Sequence, residues 1–102
     1  MTKYLNNFLN SLDEQRFYDA HEDIEEVWFP RRFEDSNEVK LLKGFINASV
    51  SFELHKRGRS EASKRVWKNY LKYRTLLFKV ESKHLNQYNY VVRYLDELNL
   101  KK

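Results

Sequence analysis

The chain has almost no residues that break helices: it contains two glycines and one proline among 102 residues. A multi-stranded sheet of this size needs many tight turns, and glycine and proline supply much of the backbone geometry that such turns require. Runs rich in Leu, Lys, Glu and Arg favour helices instead. The sequence therefore predicts an all-α fold, with a core built from the abundant Tyr, Phe and Trp side chains.

The length predicts a single helical domain, residues 1–102, with enough core to fold without disulfides or structural zinc. The chain has no cysteine, which agrees with a reducing compartment. Its first ten residues lack the apolar run of a signal peptide, and no segment approaches the roughly 18 apolar residues of a membrane span. We therefore expect a cytoplasmic protein without a membrane partner.

Caps, breakers and apolar spacing predict about five helices. The first helix runs from a cap at Thr2 to near Asn10. Ser11 and Glu14 match a capping box, in which a hydroxyl and a carboxylate satisfy amides at a helix start. The second helix is therefore predicted to begin at Leu12.

The third helix has a signal at each end. Pro30 ends the second helix, because the proline ring disfavours helical geometry in the residue before it, and a loop follows over residues 30–36. Asp35 or Ser36 caps the third helix, and Gly58 ends it as a residue that readily adopts the left-handed conformation.

The fourth helix is predicted to start with a cap at Ser60, and the fifth starts near Asn86. Spacing gives the fourth helix six inward positions: Ala62, Val66, Tyr70, Tyr73, Leu77 and Val80. The third helix is apolar on nearly every side, which predicts a central position for it. Because short connections favour antiparallel neighbours, the sequence predicts a single-domain antiparallel helical bundle.

One stretch of the second helix, FYDAHEDIEEVW at residues 17–28, places a histidine on the apolar stripe. At 100° per residue His21 falls about 40° from Phe17, and Glu25 follows one turn later within side-chain reach. An inward imidazole needs partners for its ring nitrogens. Glu25 can orient one nitrogen and leave the other for a substrate proton, a metal or a group on the third helix.

Two interpretations of this pair remain open. In the first, His21 is a catalytic base, Glu25 its orienting carboxylate, Glu22 an accessory acid and Trp28 a wall that excludes water. Such an arrangement would suit proton transfer or metal-assisted hydrolysis. In the second, the pair only locks the second helix against the third, since structural ion-pair networks also involve core histidines.

The third helix would supply the rest of the pocket, because Asn47 and Ser51 lie one turn apart and could bind a substrate beside the pair. His21 and Glu25 are also the candidate ligands of a divalent metal, and oxygen ligands with one histidine suit manganese or iron. No nucleophile motif, phosphate loop or other cofactor fingerprint accompanies them. The sequence therefore leaves open whether the protein is an enzyme.

The run FYDAHEDIEEVW, followed by LLKGFI and then KRGR, resembles the domain-of-unknown-function family 309, which comprises small all-helical proteins with an HxxxExxW-type motif. The similarity spans Phe17 to Ala62 and implies a helical fold with a functional motif. Five positions carry it: His21, Glu22, Glu25, Trp28 and Gly44. The chain departs from the family pattern at Lys43 and Asn47, where glutamines are usual, and at Arg59, where an asparagine usually follows the glycine.

Charge is distributed unevenly along the chain. Residues 13–38 carry ten acidic and three basic side chains, whereas residues 56–79 carry nine basic and one acidic side chain. In a compact bundle we expect these two segments to neutralise each other across helix contacts.

Two non-enzymatic alternatives use other surfaces. Lys64, Lys68 and Lys72 recur every four residues, so they form one basic face of the fourth helix. We interpret this face as solvated, and a surface for nucleic acid or an acidic partner is the alternative. A scaffold that forms a homodimer through exposed aromatic side chains, such as Trp67 and Tyr90, is the other alternative.

Overall fold

The computed structural model describes residues 1–102 and contains five α-helices with no strand, which confirms the all-α prediction. The helices are α1 (Thr2–Asp13), α2 (Phe17–Trp28), α3 (Asn37–Lys56), α4 (Ser60–Arg74) and α5 (Leu85–Leu100). Two short 3₁₀ segments, Phe29–Arg31 and Thr75–Lys79, follow α2 and α4. None of the helices combines the length and the apolar character that crossing a membrane would require.

The core is one cluster of 18 buried residues, and α3 lies at its centre. Helix α3 contributes more buried residues than any other helix and packs against both α2 and α4. Short connections reverse the chain between α1, α2, α3 and α4, so consecutive helices run antiparallel. The prediction of a central third helix is confirmed.

The predicted boundary between the first two helices is wrong. Helix α1 continues through Ser11 to Asp13, and α2 begins only at Phe17. Ser11 is buried and donates a 2.8 Å hydrogen bond to Asp23 on α2 instead of capping a helix. Burial of Leu12, which is fully enclosed, adds this last turn to α1.

The turn after α1 is closed by a Schellman motif centred on Gln15. The amide of Arg16 donates to the carbonyl of Ser11 at 2.8 Å, and the amide of Gln15 donates to that of Leu12 at 3.0 Å. Gln15 adopts a φ of 59°, in the left-handed region. The sequence did not reveal this stop, because the residue in the left-handed position is not a glycine.

The other helix boundaries agree more closely with the sequence. The Ser36 hydroxyl accepts a hydrogen bond from the amide of Val39 and caps α3 as predicted. Gly58, with a φ of 78°, ends α3 as predicted. Ser60 is the first residue of α4, so the capping position belongs to Arg59, and no side chain caps the helix.

The inward face of α4 differs partly from the prediction. Ser63 and Tyr70 are buried, whereas Ala62, Val66 and Tyr73 are only half-buried. The helix changes to a 3₁₀ segment after Arg74, and this segment continues the apolar line inward through buried Leu77 and Val80.

Candidate functional site

The structure brings His21 and Glu25 together on α2. Nε2 of His21 lies 2.8 Å from Oε2 of Glu25, one helical turn away. Phe17, Ala20 and Ile24 on the same helix are buried against the core and fix the orientation of its inner face. The His21 side chain lies at the edge of that face, 25 % exposed, so the pair borders both the interior and the solvent.

The two ring nitrogens of His21 have different environments. Nε2 lies 2.8 Å from the Glu25 carboxylate, whereas Nδ1 is buried and has no hydrogen-bond partner. The nitrogen that lacks a partner is therefore the one that solvent and ligands do not reach.

A mainly apolar groove of about 280 Å³ lies between α2 and α3 beside the imidazole. Its lining comprises Phe17, Tyr18, His21, Val50, Glu53, Leu54 and Arg57. Arg57 closes one wall with an ion pair to Glu53, in which Nε and Oε1 are 2.8 Å apart. The ring of Tyr18 is 5.7 Å from that of His21 and separates this groove from the outer face of α2.

On that outer side, a shallow depression of about 510 Å³ has a strongly acidic lining. We call it the α2 surface, and it comprises Tyr18, His21, Glu22, Glu25, Glu26 and Phe29. Tyr18 and Phe29 are 58 % and 50 % exposed. Glu22 and Glu26 make no ion pair or side-chain hydrogen bond in the structure, so the α2 surface combines uncompensated negative charge with two accessible aromatic rings.

Sequence reasoning missed Tyr18 and Phe29 as part of a site. The signal was present, because both aromatic residues depart from the inward stripe of a helix whose outer face is otherwise acidic. An exposed aromatic ring among carboxylates is not needed for packing.

The three other predicted site residues lie elsewhere. Ser51 is buried against α4, where its hydroxyl donates to the carbonyl of Ser63. The amide of Asn47 donates to the carbonyl of Lys43 within α3. Trp28 packs partly buried on the core and lines neither the groove nor the α2 surface.

The polar pocket expected from these residues does not form around the histidine. The α3 side chains that share the groove with His21 lie on a different face of α3 from Ser51, and two of them, Val50 and Leu54, are apolar.

The residues present do not fit a metal centre. No group of three or more His, Asp or Glu side chains is arranged to hold a metal ion, and the pair supplies only two donors. Protein metal sites with fewer than three protein ligands depend on substrate or water for most of their coordination. The structure thus gives no support to the expected manganese or iron site on His21 and Glu25.

The acidic and basic segments do not neutralise each other, contrary to expectation. Helices α2 and α4 each pack against α3, and no ion pair joins residues 13–38 to residues 56–79. Lys64 lies 3.9 Å from Glu61 on its own helix, and Lys68 and Lys72 are exposed without an acidic partner. The protein therefore presents an acidic α2 and a basic α4 as separate faces.

The two aromatic anchors proposed for a dimer differ in exposure. Tyr90 is exposed, but Trp67 is half-buried, with its ring 4.7 Å from that of Tyr70 and 5.6 Å from that of Phe52. Trp67 therefore belongs to the packing between α3 and α4.

Comparison with known proteins identifies one related family. The family described as "Domain of unknown function (DUF309)" matches residues 5–66, which is more than half of the chain. No curated protein and no solved structure matches the chain significantly. The matched residues include the whole α2 surface and the adjoining groove, whereas Lys68 and Lys72 lie beyond them.

Proposed function

The chain belongs to the domain-of-unknown-function family DUF309, and we propose that it is a non-enzymatic binding domain that holds a basic segment of a partner protein on the α2 surface. One observation carries the proposal: Glu22 and Glu26 have no ion-pair partner and lie with Glu25, whose only partner is His21, between the exposed rings of Tyr18 and Phe29. This combination suits lysine or arginine side chains flanked by apolar ones.

The three carboxylates repel one another in the free protein. Glu22 and Glu26 are four residues apart on the same helix, a spacing at which like charges destabilise a helix by roughly 0.2–0.5 kcal/mol. A cationic partner would relieve this repulsion as it binds. Relief of this repulsion adds to the affinity for a basic ligand, and the negative charge of the α2 surface also increases the association rate.

The aromatic rings supply the apolar part of the recognition. The guanidinium carbon of Arg32 already lies 3.6 Å from the ring centroid of Phe29, so this ring takes a cation against its face. Tyr18 stands between the α2 surface and the apolar groove. An amphipathic partner helix could place its basic residues on the carboxylates and an apolar residue in the groove beside Val50 and Leu54.

The geometry of His21 favours binding over proton transfer. A general base needs a free nitrogen within reach of the substrate proton. Nδ1 of His21 is enclosed, and Nε2 already contacts the Glu25 carboxylate at 2.8 Å. In the binding function the imidazole instead holds the Glu25 carboxylate in a fixed orientation at the surface, and the absence of cysteine fits the cytoplasmic location that we propose with it.

Peptide binding tests the proposal directly. A fluorescent amphipathic peptide of leucine and lysine is titrated with the protein by anisotropy, beside the same peptide with glutamate in place of lysine. We expect saturable binding of the basic peptide only, weakening as salt is added. The double variant Glu22→Gln/Glu26→Gln should weaken it by up to about thirtyfold, because it removes two exposed ion pairs that contribute at most about 1 kcal/mol each.

The matched control changes net charge by the same amount on another surface. Glu81 and Glu97 are exposed and form no ion pair, so Glu81→Gln/Glu97→Gln should leave the affinity within about twofold. Equal binding of the two peptides, or equal loss in the two double variants, would contradict the proposal.

The basic face of α4 is a second candidate site, favoured by the finding that α2 does not neutralise Lys64, Lys68 and Lys72. It could bind nucleic acid phosphates, or the α2 surface of a second copy in a homodimer. A gel shift with short DNA or RNA at low salt tests the first, and sedimentation across micromolar concentrations tests the second. A strict monomer that shifts neither nucleic acid would leave the basic face without a function.

A further inference from the structure

A second polar cluster lies between α3 and α4, on the side of α3 that faces away from the α2 surface. Ser51 and Ser63 are both buried, and each hydroxyl donates to the other residue's carbonyl oxygen, at 2.8 and 2.7 Å. The two hydroxyl oxygens are 3.0 Å apart. Since each hydroxyl has a single proton, and both protons are committed to carbonyls, the remaining lone pairs can only accept hydrogen bonds.

The side chain of Lys102 fills this position. Its Nζ donates to the hydroxyl oxygens of Ser51 at 2.9 Å and of Ser63 at 3.3 Å. The same nitrogen lies 4.7 Å from the ring centroid of Phe52 and 4.9 Å from that of Trp67. Two aromatic faces and two acceptor oxygens therefore surround one ammonium group, and we call these four residues the ammonium seat.

The ammonium seat contains no carboxylate, and Lys102 forms no ion pair. Attraction to the cation comes from the ring faces, which favour a charged amine over a neutral one. Burial lowers the pKa of Lys102 to about 8, so seating this amine has a desolvation cost. Lys102 follows the end of α5 and has no ion pair to hold it in place, so another amine can compete for the seat.

The seat also has an entrance. A groove of about 230 Å³ adjoins it, and Phe17, His55 and Leu98 are among the residues that line the groove. An alkyl chain that approached along this groove could follow the path that the Lys102 side chain takes now.

We propose that Ser51, Phe52, Ser63 and Trp67 form a binding site for the lysine side chain of a partner protein, and that Lys102 is an internal competitor for it. The site lies apart from the α2 surface and does not depend on the function proposed there. Its chemistry distinguishes ligands: a primary ammonium satisfies both hydroxyl acceptors, a trimethylated amine satisfies only the rings, and an acetylated amine satisfies neither requirement.

The two tryptophans allow the test to be made by NMR. The indole N–H of Trp67 reports on the seat, and that of Trp28, the last residue of α2, serves as the internal control in the same spectrum. The Lys102→Ala variant empties the seat by changing a residue that follows the end of α5, so its fold should be retained. The probe is Nα-acetyl-lysine methylamide, with its trimethylated and Nε-acetylated forms as comparisons.

In Lys102→Ala we expect the probe to shift the Trp67 resonance with saturation while Trp28 stays in place. The wild type should need roughly tenfold more probe, because the apparent affinity falls by the fraction of molecules whose seat is free. The trimethylated probe should bind more weakly, and the acetylated probe should not bind.

The variant Lys102→Ala/Ser51→Ala/Ser63→Ala removes the acceptors and should abolish the preference for the primary amine, with Trp28 showing that the fold persists. A Trp67 resonance that does not respond in Lys102→Ala, or that responds equally to the acetylated probe, would overturn the proposal.

Discussion

The hydroxyl of Tyr88 on α5 donates a 2.6 Å hydrogen bond to Oε2 of Glu38, in the first turn of α3. Ser82 donates to the same oxygen at 2.8 Å, and Arg31 donates to Oε1. One carboxylate thus joins α3 to the segment before α5, to α5 itself and to the 3₁₀ segment after α2. This network, and not the pair of His21 and Glu25, links the start of α3 to α5 and to the 3₁₀ segment after α2.

Acid should destabilise the protein through Glu38. Burial raises the pKa of this carboxyl, but the hydrogen bonds from Tyr88 and Ser82 and the charge of Arg31 outweigh burial, so its pKa lies below the usual range. In the unfolded chain a glutamate titrates near pH ~4.3. The stabilisation is therefore fully present above that pH and is lost as the pH falls through it towards the lower folded-state pKa.

The variant Glu38→Gln should make the melting temperature less dependent on pH below about 5. Glu38→Ala should lower the free energy of unfolding by about 1–3 kcal/mol, because it leaves buried donors without an acceptor. Denaturation at pH 7 and pH 4 measures both, with exposed Glu97→Gln as the control. An unchanged pH dependence in Glu38→Gln would mean that another carboxyl governs acid stability.

Gly44 should not tolerate even a methyl group. A Cβ at this position would lie 2.7 Å from Cβ of Tyr73, which belongs to the rigid first part of that side chain. Separating α3 from α4 to relieve the contact should cost about 1–3 kcal/mol in Gly44→Ala. Asn47→Ala, one turn away and bonded only within its own helix, should stay within about 0.5 kcal/mol in the same urea titration.

Much of the fold could be predicted because its signals are local. Ser36 caps the start of α3, and Gly58 ends the helix in a left-handed conformation. The sequence predicted both boundaries. The turn at Gln15 was missed, because burial of Leu12 and the Schellman hydrogen bonds hold a residue in a conformation that its type does not favour. Tertiary packing therefore determines where α1 ends, and no local sequence pattern predicts that position.

The candidate site also has features that local signals predict and features that tertiary packing determines. The pairing of His21 with Glu25 depends only on helical spacing and could be predicted. Which residues of α3 face the histidine depends on how this helix is rotated about its axis against α2. Asn47 and Ser51 were expected there, but Val50 and Leu54 line the groove and Ser51 faces α4. The ammonium seat could not be predicted at all, since Lys102 is far along the chain from Ser51.

Gln15→Gly should stabilise the protein. A non-glycine residue in the left-handed region costs roughly 1–2 kcal/mol, and the larger chain entropy of an unfolded glycine offsets about half of the gain. The net increase should be about 0.5–1 kcal/mol, which raises the melting temperature by several degrees in a domain of this size. The hydrogen bond from Lys56 to the Gln15 carbonyl involves only backbone at that position and is retained.

Gly58→Ala is the reciprocal control for that change. Gly58 holds the same position in a Schellman motif at the end of α3, where the amide of Arg59 donates to the carbonyl of Leu54 at 2.9 Å. A Cβ there would meet open space, but the φ of 78° is strained for a residue with a side chain. Gly58→Ala should lower the melting temperature by a similar amount. If Gln15→Gly and Gly58→Ala shifted the melting temperature in the same direction, local contacts, and not the left-handed backbone, would control these turns.

His21→Leu separates a structural role of the histidine from a role in binding. The pair with Glu25 is largely at the surface, and leucine also removes the buried Nδ1 that lacks a partner. The free energy of unfolding should therefore change by less than about 1 kcal/mol. Binding of the basic peptide should weaken, because Glu25 loses the group that orients it. A loss of stability above about 2 kcal/mol with unchanged peptide binding would support the structural lock instead.

Lys102 should titrate well below the other lysines. Burial lowers the pKa of its ammonium to about 8, while the rings of Phe52 and Trp67 favour the charged form and keep it charged at pH 7. The ¹³Cε shift of Lys102, assigned by its loss in Lys102→Ala, should show a midpoint near pH 8.

In Ser51→Ala/Ser63→Ala the seat loses both hydroxyl acceptors, and the midpoint of the Lys102 titration should move towards that of an exposed lysine. A wild-type midpoint near ~10.4 would place this ammonium in water and leave the rings of Phe52 and Trp67 without a resident cation.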